Sequence, residues 1–271
     1  MSDRVTVELK SGVARVRLSR PEKMNALDSE MFQALIETGR ELGADASVRA
    51  VVLSGEGRSF CAGLDFGSFA KMSREDDGEG PSTGALFQVG VGAANFAQSA
   101  AWVWHELPVP VIAAVHGVAL GGGLQIALGA DIRLVSPDAR MSVMEIKWGL
   151  VPDMAGPQRL RHLVREDIAK ELTFTGRLVG AEEAVAIGLA TRVEEDPLDA
   201  ALAMAEEIAS KSPHAIRSSK RLLNELSGLP EGAGLELEEK LQRALIRSPN
   251  QVEAVQANFE KRAPVFADVD A

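Results

Sequence analysis

The chain has 271 residues, of which 46% are hydrophobic and 25% charged, a composition typical of a soluble globular protein. Acidic residues outnumber basic ones by 39 to 29, and the resulting net charge of −10 argues against broad binding to nucleic acids or anionic membranes, which attract positive proteins. The single cysteine, Cys61, excludes an intramolecular disulfide, and no export signal or membrane-spanning segment is predicted, so a cytoplasmic protein is expected.

The predicted elements form an α/β body followed by helices. Residues 4–19 alternate apolar and polar side chains on both sides of a turn, which predicts a hairpin, and Asp28 is placed to cap a helix over 29–42. Buried strands are predicted at 50–55, 109–115 and 132–135. Helical patterns cover residues 85–106, 122–130, 157–170, 181–187, 198–210, 214–226 and 233–247.

Strands that alternate with helices predict parallel pairing through crossovers. The strand signals stop after about residue 190, so a core over 1–195 and a helical region over 196–271 are predicted. The polar, acidic and glycine-rich segment 67–84 has no period and is predicted to be a surface loop.

Two glycine-marked turns, at residues 59–65 and 116–125, each follow a predicted strand. Such turns expose unpaired backbone N–H groups, and the three glycines at 121–123 would let a ligand approach the backbone without meeting a Cβ. A flexible turn is the alternative. A nucleotide site is poorly supported, because neither nucleotide-binding glycine pattern is present.

Several stretches of the chain resemble the crotonase family, also called the enoyl-CoA hydratase/isomerase family. Their order and spacing fit from about residue 4 to 266. The resemblance implies a crotonase-like spiral of ββα repeats with a helical C-terminal domain that assembles as trimers, often as a dimer of trimers. It also implies an acyl-CoA substrate, with no cofactor beyond the coenzyme A that the substrate carries. The matching stretches are Arg20–Leu27, Phe60–Asp65, Val115–Gly123, Ala130–Arg133, Gly149–Pro152 with Gln158–Leu160, and Phe259–Arg262 with Pro264.

The resemblance also implies binding roles for individual residues. The backbone N–H groups of Leu64 and Gly122 are expected to bind the thioester oxygen and so to stabilise an enolate. The residues expected along the acyl-CoA are Lys23, Met24, Ala26, Ala62, Asp65, Phe66 and Gly121, with Lys261 at a phosphate. For the two lysines a solvated surface charge is the alternative, and for Asp65 a turn or capping role is the alternative.

The acidic residues bear on the reaction. Hydratases of this family use two glutamates to handle a water, and the corresponding positions here are Gln125 and Glu145. Glutamine cannot transfer a proton near neutral pH, although it can hydrogen-bond a water or a substrate carbonyl. Asp153 stands where relatives that isomerise dienoyl-CoA, and others that displace halide, have an aspartate. Glu145 and Asp153 therefore resemble a pair that takes a proton from one carbon and returns it to another.

Several hypotheses stay open at this point. The leading one is an enoyl-CoA isomerase or hydratase with Glu145 as the main acid/base and Asp153 assisting. The others are an acyl-CoA-binding homologue without turnover and a hydrolase or dehalogenase that uses Asp153 as nucleophile. Structural alternatives are an ion pair for Glu145 and a helix N-cap for Asp153. The histidines show no ligand spacing, so no metal site is predicted.

Overall fold

The computed structural model describes residues 3–65, 67 and 92–269. Phe66 and, apart from Gly67, the predicted loop at 67–84 lie outside these residues. The described chain is an α/β body followed by helices, as the sequence pattern predicts. Among the described helices, none combines the length and apolar character needed to cross a membrane.

The strands form two sheets. The larger has the order β1-β2-β3-β4-β6-β9, and the smaller has the order β5-β7-β8. The predicted hairpin is confirmed, because β1 and β2 pair antiparallel, whereas the other neighbours in the larger sheet are parallel. The strands are β1 (Val5–Lys10), β2 (Val13–Leu18), β3 (Ala50–Gly55), β4 (Val111–Val115), β5 (Val118–Leu120), β6 (Ile132–Val135), β7 (Arg140–Ser142), β8 (Val179–Gly180) and β9 (Arg192–Val193).

The helices connect these strands and then continue alone. Asp28 caps the first helix as predicted, since its Oδ1 accepts a hydrogen bond from Met31 N at 2.8 Å. Short 3₁₀ turns lie at Pro21–Lys23 and Glu145–Trp148. The α-helices are α1 (Ser29–Ala44), α2 (Phe96–Glu106), α3 (Gly122–Gly129), α4 (Gly156–Leu163), α5 (Glu166–Thr175), α6 (Ala181–Ala186), α7 (Pro197–Ala209), α8 (Pro213–Leu226), α9 (Glu231–Leu245) and α10 (Pro249–Glu260).

The structure differs from the predicted pattern at several elements. Of the helix predicted over 85–106, residues 85–91 lie outside the described residues, and the helix begins at Phe96. The helix predicted over 157–170 is two helices, because Val164 and Arg165 are extended and Val164 is buried in the core. A strand, β9, follows residue 190, and the helix α10 lies beyond the last predicted one. The strands β5, β7, β8 and β9 have only two or three residues, too few to show a hydrophobic period.

Both faces of the larger sheet are buried, which explains the continuous apolar runs of its central strands. Val51 and Leu53 of β3 face a core shared with α1, α2 and α3. Ala50 and Val52 point the other way and pack, with residues of β4 and β6, against the alanines of α7. The first helix after residue 195 therefore packs directly on the sheet of the body.

The next helix, α8, is joined to the body by an ion pair between the buried Lys220 and the partly buried Asp131. Lys220 is buried, and its Nζ donates to Asp131 Oδ2 at 2.7 Å and to Val109 O at 2.9 Å. The same carboxylate oxygen accepts from Val111 N at 2.8 Å. Removing one partner would leave a charge uncompensated in the protein interior, so this pair fixes α8 beside the start of β4.

Candidate active site

The two glycine-marked turns lie side by side. Cys61 N donates to Val118 O at 3.0 Å and Leu120 N donates to Cys61 O at 3.1 Å, so the first turn runs parallel to β5. Gly63 has a φ of +86°, and a Cβ there would lie 2.6 Å from Leu120 O and 3.7 Å from Gly122 N. This close approach of two backbones requires glycine.

Each turn presents one unpaired backbone donor. Leu27 N donates to Gly63 O at 2.8 Å and Asp65 N donates to Leu27 O at 2.9 Å. Because strand residues alternate in direction, the N–H of Leu64 points away from Leu27. Gly122 is the first residue of α3 and has no acceptor within the helix. Neither N–H has an acceptor in the part of the chain that the structure describes, so the two expected oxyanion donors are available.

The helix α3 is buried along its whole length and held at both ends by glycine contacts. All 8 of its residues are buried. A Cβ at Gly123 would lie 2.4 Å from Cys61 O, and a Cβ at Gly129 would lie 2.3 Å from Ala101 O. The helix N-terminus, with its partial positive charge, therefore keeps a fixed position in the site.

Two arginines bind the carbonyl groups at the other end of α3. Arg159 Nε donates to Leu128 O at 3.3 Å, and an Arg133 guanidinium nitrogen donates to Ala130 O at 2.7 Å. Burial lowers the pKa of Arg133 to about 10, so the guanidinium still carries its charge near neutral pH. Positive charge at a helix C-terminus is stabilising, which adds to the hold on this element.

Glu145 places a buried carboxyl beside the N-terminus of α3. Its Oε1 accepts from Gln125 Nε2 at 2.6 Å and would lie 3.3 Å from a Cβ at Gly121. Its Oε2 is buried and has no hydrogen-bond partner among the residues that the structure describes. Burial raises the pKa of Glu145, the charge of Asp153 raises it further, and the hydrogen bond from Gln125 opposes the rise. Among the described residues no cation pairs with Glu145, so the structure does not support the ion-pair alternative.

Asp153 lies in the loop between the second 3₁₀ turn and α4. Its negative charge adds to the effect of burial in raising the pKa of Glu145. Partial desolvation raises the pKa of the Asp153 carboxyl, although the residue as a whole is exposed. Ala155, not Asp153, precedes the first residue of α4, and no side chain caps that helix. The N-cap alternative for Asp153 is therefore wrong.

Gln125 lies in the first turn of α3 and uses its side chain within the protein. Its Oε1 accepts from Met154 N at 2.8 Å and from Gly156 N at 3.0 Å, while its Nε2 donates to Glu145. The role predicted from the sequence, hydrogen bonding to a water or a substrate carbonyl, stays a prediction. The carbonyl oxygen has both lone pairs engaged here, so such a bond would have to come from the amide hydrogens.

The residues expected along the coenzyme A moiety lie on neighbouring segments. Lys23 is exposed and ends the first 3₁₀ turn, and Met24 and Ala26 follow it. Ala62 N donates to Met24 O at 2.9 Å, which joins this turn to the segment that carries Leu64. Lys261 is exposed at the end of α10, and no contact among the described residues joins it to the site.

Asp65 is engaged in an ion pair and a turn. Its Oδ2 accepts from Arg20 at 2.8 Å, and its Oδ1 accepts from Gly67 N at 2.7 Å. Arg20 also donates to Ala26 O at 3.1 Å. The pKa of Asp65 is lowered because these hydrogen bonds and charges outweigh desolvation. The turn role considered for Asp65 is thus present, and the ion pair holds the residue next to Leu64.

One structural residue of the site was not assigned from the sequence. Asn25 is buried at a φ of +55°, and its Nδ2 donates to Glu56 O at 2.9 Å and Ser59 O at 2.8 Å. Its Oδ1 accepts from Arg20 N at 2.8 Å. Asparagine tolerates the left-handed region of backbone conformation better than most residues. An asparagine next to a predicted binding segment could therefore have indicated a structural turn at this position.

The site therefore combines paired backbone donors with a buried carboxyl. The profile of the enoyl-CoA hydratase/isomerase family matches residues 8–269. The chain belongs to this family. Among the described residues of this family member, no group of three or more His, Cys, Asp or Glu side chains is arranged to hold a metal ion.

Curated relatives include both isomerases and hydratases. The mitochondrial Δ(3,5)-Δ(2,4)-dienoyl-CoA isomerase of Homo sapiens is 35% identical over 254 residues, covering 92% of this chain and 77% of that protein. The short-chain-enoyl-CoA hydratase of Clostridium acetobutylicum is 35% identical over 261 residues, covering 95% of each. The relatives support an enzyme of the hydratase/isomerase type without separating the two reactions.

Solved structures confirm the predicted fold. The enoyl-CoA hydratase of Bacillus anthracis matches with a TM-score of 0.88 at 30% identity, over 97% of this chain and 98% of that one. The enoyl-CoA hydratase of Mycobacterium tuberculosis H37Rv matches with a TM-score of 0.84 at 30% identity, over 98% and 100%. The family member described here therefore has the crotonase fold.

Proposed function

We propose that this protein isomerises a double bond in an enoyl-CoA or dienoyl-CoA thioester, with Glu145 as the main acid/base and Asp153 assisting. The observation that carries the proposal is the arrangement of the acids. Glu145 is the carboxyl beside the oxyanion donors, and Gln125, which stands at the other acid position of the hydratases, donates a hydrogen bond to it. The second carboxyl is Asp153, whose charge acts on Glu145. Such a pair suits moving a proton between two carbons better than activating a water.

The proposed reaction begins with the thioester oxygen bound by the N–H groups of Leu64 and Gly122. Oε2 of the ionised Glu145 takes a proton from the carbon next to the thioester carbonyl, and the C–H electron pair moves into the enolate. The two backbone donors stabilise the negative charge that develops on the oxygen. A carboxyl group, Glu145 with Asp153 assisting, then returns a proton to a more distant carbon of the conjugated system, and the carbonyl re-forms.

We propose that the coenzyme A moiety lies along the segments that carry Lys23, Met24, Ala26 and Ala62 and also contacts Phe66, with Gly121 binding the substrate and Lys261 at a phosphate. Asp65 acts through its ion pair with Arg20, which keeps the neighbouring Leu64 donor in place. The exposed charge of Lys23 next to the Ala62 segment supports this path. The proton transfers need no cofactor beyond the substrate's own coenzyme A.

We also propose that the protein works in the cytoplasm as a trimer or a dimer of trimers. The isolated chain exposes large apolar side chains on its C-terminal helices and tail, among them Phe259, which is 84% exposed, and Val265, which is 80% exposed. Exposed apolar surface of this kind is usually covered by another protein surface. Sedimentation of the purified protein measures the assembly directly.

The reaction is tested with purified protein and three substrates: a 3-enoyl-CoA, a 3,5-dienoyl-CoA and a 2-enoyl-CoA. Turnover of the first or second to the conjugated product, with little hydration of the third, is expected. Glu145→Gln should lower kcat about 10²–10⁴-fold, because it removes the group that transfers the proton. Asp153→Asn should lower kcat less. Glu239→Gln, an exposed change on α9, is the control and should leave kcat unchanged.

The other hypotheses are distinct outcomes of the same experiment. Full isomerase activity in both site variants would contradict the assignment of the acids. Efficient hydration of the 2-enoyl-CoA alone would favour a hydratase, and tight acyl-CoA binding without any product would favour a binding protein. A covalent acyl-enzyme trapped on Asp153 would favour a hydrolase or dehalogenase.

A further inference from the structure

Gln125 connects the oxyanion helix to Glu145 and to the loop that carries Asp153. It is only 2% exposed and lies in the first turn of α3, the helix that begins with the donor Gly122. Its amide Nε2 donates to Glu145 Oε1 at 2.6 Å. Its carbonyl Oε1 accepts from Met154 N at 2.8 Å and Gly156 N at 3.0 Å. A single side chain thus makes three hydrogen bonds to two different segments.

These contacts allow one orientation of the Gln125 amide. Its carbonyl oxygen has two lone pairs, and the two backbone N–H groups occupy both. A flipped amide would direct its NH₂ group at these two donors, so the NH₂ group has to face Glu145. The fit also depends on Gly156, since a Cβ there would lie 2.6 Å from Gln125 Cγ. The side chain is therefore held as a rigid link.

The link determines which part of Glu145 is free. Oε1 accepts the hydrogen bond from Gln125, whereas Oε2 is buried and has no hydrogen-bond partner among the described residues. Oε2 is therefore the oxygen available to a substrate. On its other side, the link holds the backbone of Met154, the residue directly after Asp153. The Met154 side chain in turn packs over the oxyanion donor, because a Cβ at Gly122 would lie 2.7 Å from Met154 Sδ.

We propose that Gln125 is a positioning residue for the proton transfer: it orients Glu145 so that Oε2 faces the substrate, and it fixes the turn that carries Asp153. This inference rests on the proposed isomerisation, and it goes beyond it by assigning the relative placement of the two acids to a residue that transfers no proton. Among the described residues, repulsion from Asp153 adds to the effect of burial in raising the pKa of Glu145, and hydrogen bonds from the backbone and from Gln125 oppose the rise.

Two substitutions separate the contact of the Gln125 amide nitrogen with Glu145 from the contacts of its carbonyl oxygen with Met154 and Gly156. Gln125→Leu removes all three hydrogen bonds. Gln125→Glu retains an oxygen for the N–H groups of Met154 and Gly156 but has no hydrogen to donate to an ionised Glu145. Ile126→Val, a small change at a buried neighbour in the same helix, is the control for lost packing. Each variant is compared with the unaltered protein.

The first measurement is the pKa of Glu145 in the unliganded protein, from a ¹³C NMR titration of labelled glutamate that is assigned with Glu145→Gln. Losing a hydrogen bond from Gln125 to the ionised carboxyl should raise this pKa by about one to two units in Gln125→Leu. Gln125→Glu should raise it as well, because two adjacent carboxyl groups resist ionising together. Ile126→Val should leave it unchanged.

The second measurement is the steady-state kinetics of isomerisation. Gln125→Leu should lower kcat at least about tenfold with little change in KM, because a misplaced acid affects the transition state more than binding. Gln125→Glu should retain more activity than Gln125→Leu once the pH is raised enough to ionise Glu145, since the turn with Asp153 remains held. A merely structural role would lower stability without moving the pH profile.

Either measurement can overturn the proposal. An unchanged Glu145 pKa in Gln125→Leu would refute it, and so would an unchanged kcat, and both results would leave isomerisation intact. If the unaltered protein isomerises none of the substrates but the Glu145 pKa still rises in Gln125→Leu, the proposed function fails and the link to Glu145 stands. If Gln125→Leu does not fold, Gln125→Met, which is closer to glutamine in shape, is also neutral and also removes all three hydrogen bonds, decides by the same titration.

Discussion

The close contact at Gly63 leads to a quantitative prediction for Gly63→Ala. The residue has a φ of +86°, where a non-glycine residue costs about 1–2 kcal/mol. The new Cβ would lie 2.6 Å from Leu120 O, a backbone atom that can move only if the two turns separate. Relieving such a contact typically costs about 1–3 kcal/mol more. The free energy of unfolding should therefore fall by about 2–5 kcal/mol.

Separating the turns also moves the donor Leu64 away from the donor Gly122. A displacement on the order of 1 Å in a catalytic arrangement can lower the rate about 10²-fold. We therefore expect kcat and kcat/KM for Gly63→Ala to fall together by roughly this factor, because the donors act mainly on the enolate-like transition state. The assay is steady-state isomerisation at saturating acyl-CoA, combined with urea unfolding followed by circular dichroism.

Gly12→Ala is the matched control for the backbone conformation. Gly12 has a φ of +79° in the turn between β1 and β2, and its new Cβ would meet the flexible side chain of Arg49 at 3.0 Å instead of a backbone atom. It should lose about 1–2 kcal/mol of stability with no change in kcat. If Gly63→Ala loses no more stability than this control and keeps kcat within twofold, the reasoning from the backbone contact is wrong.

Three further predictions concern other parts of the chain. Burial raises the folded-state pKa of Glu145 above its ordinary value of 4.5. As pH increases from 4.5 through the raised pKa, the free energy of unfolding should therefore fall, and kcat/KM should rise because Glu145 ionises. A rise of kcat/KM that is complete at or below pH 4.5 would contradict this. Lys220→Met should lower the free energy of unfolding, measured in urea, by about 3–5 kcal/mol, because it leaves Asp131 without its lysine. Arg243→Ala breaks an exposed ion pair and should cost less than about 1 kcal/mol. Equal losses in the two variants would refute the distinction. Phe259→Asp should reduce the assembled species in sedimentation, and an unchanged profile would exclude this part of α10 from the interface.

Much of the fold could be predicted because local rules and tertiary structure agree. The hairpin follows from the alternation at residues 4–19, and α1 begins where Asp28 can cap it. The boundary between α4 and α5 was not predictable, because neither glycine nor proline marks it. Val164 leaves the helix to enter a core whose shape is set by distant residues. The short strands β5, β7 and β8 also depend on pairing between residues that are far apart in the chain.

The sequence located the main segments of the candidate site but not the connections between them. The glycines marked the two turns, and the resemblance named Glu145 and Asp153. The hydrogen bond from Gln125 to Glu145 joins residues on different elements, and the sequence offers no sign that an amide rather than a substrate would occupy that carboxylate oxygen. The ion pair between Arg20 and Asp65 is likewise a product of the folded chain.

The glycine contacts at both ends of α3 limit the positions at which the sequence of this enzyme can change. Any side chain at position 123 or 129 would push the helix away from its neighbours, since a Cβ there would lie less than 3 Å from a backbone carbonyl oxygen. The helix therefore tolerates almost no substitution at these points without displacing Gly122. Changes in substrate preference, whether by natural divergence or by engineering, have to arise in the segments that surround α3, while the element that stabilises the intermediate stays constant.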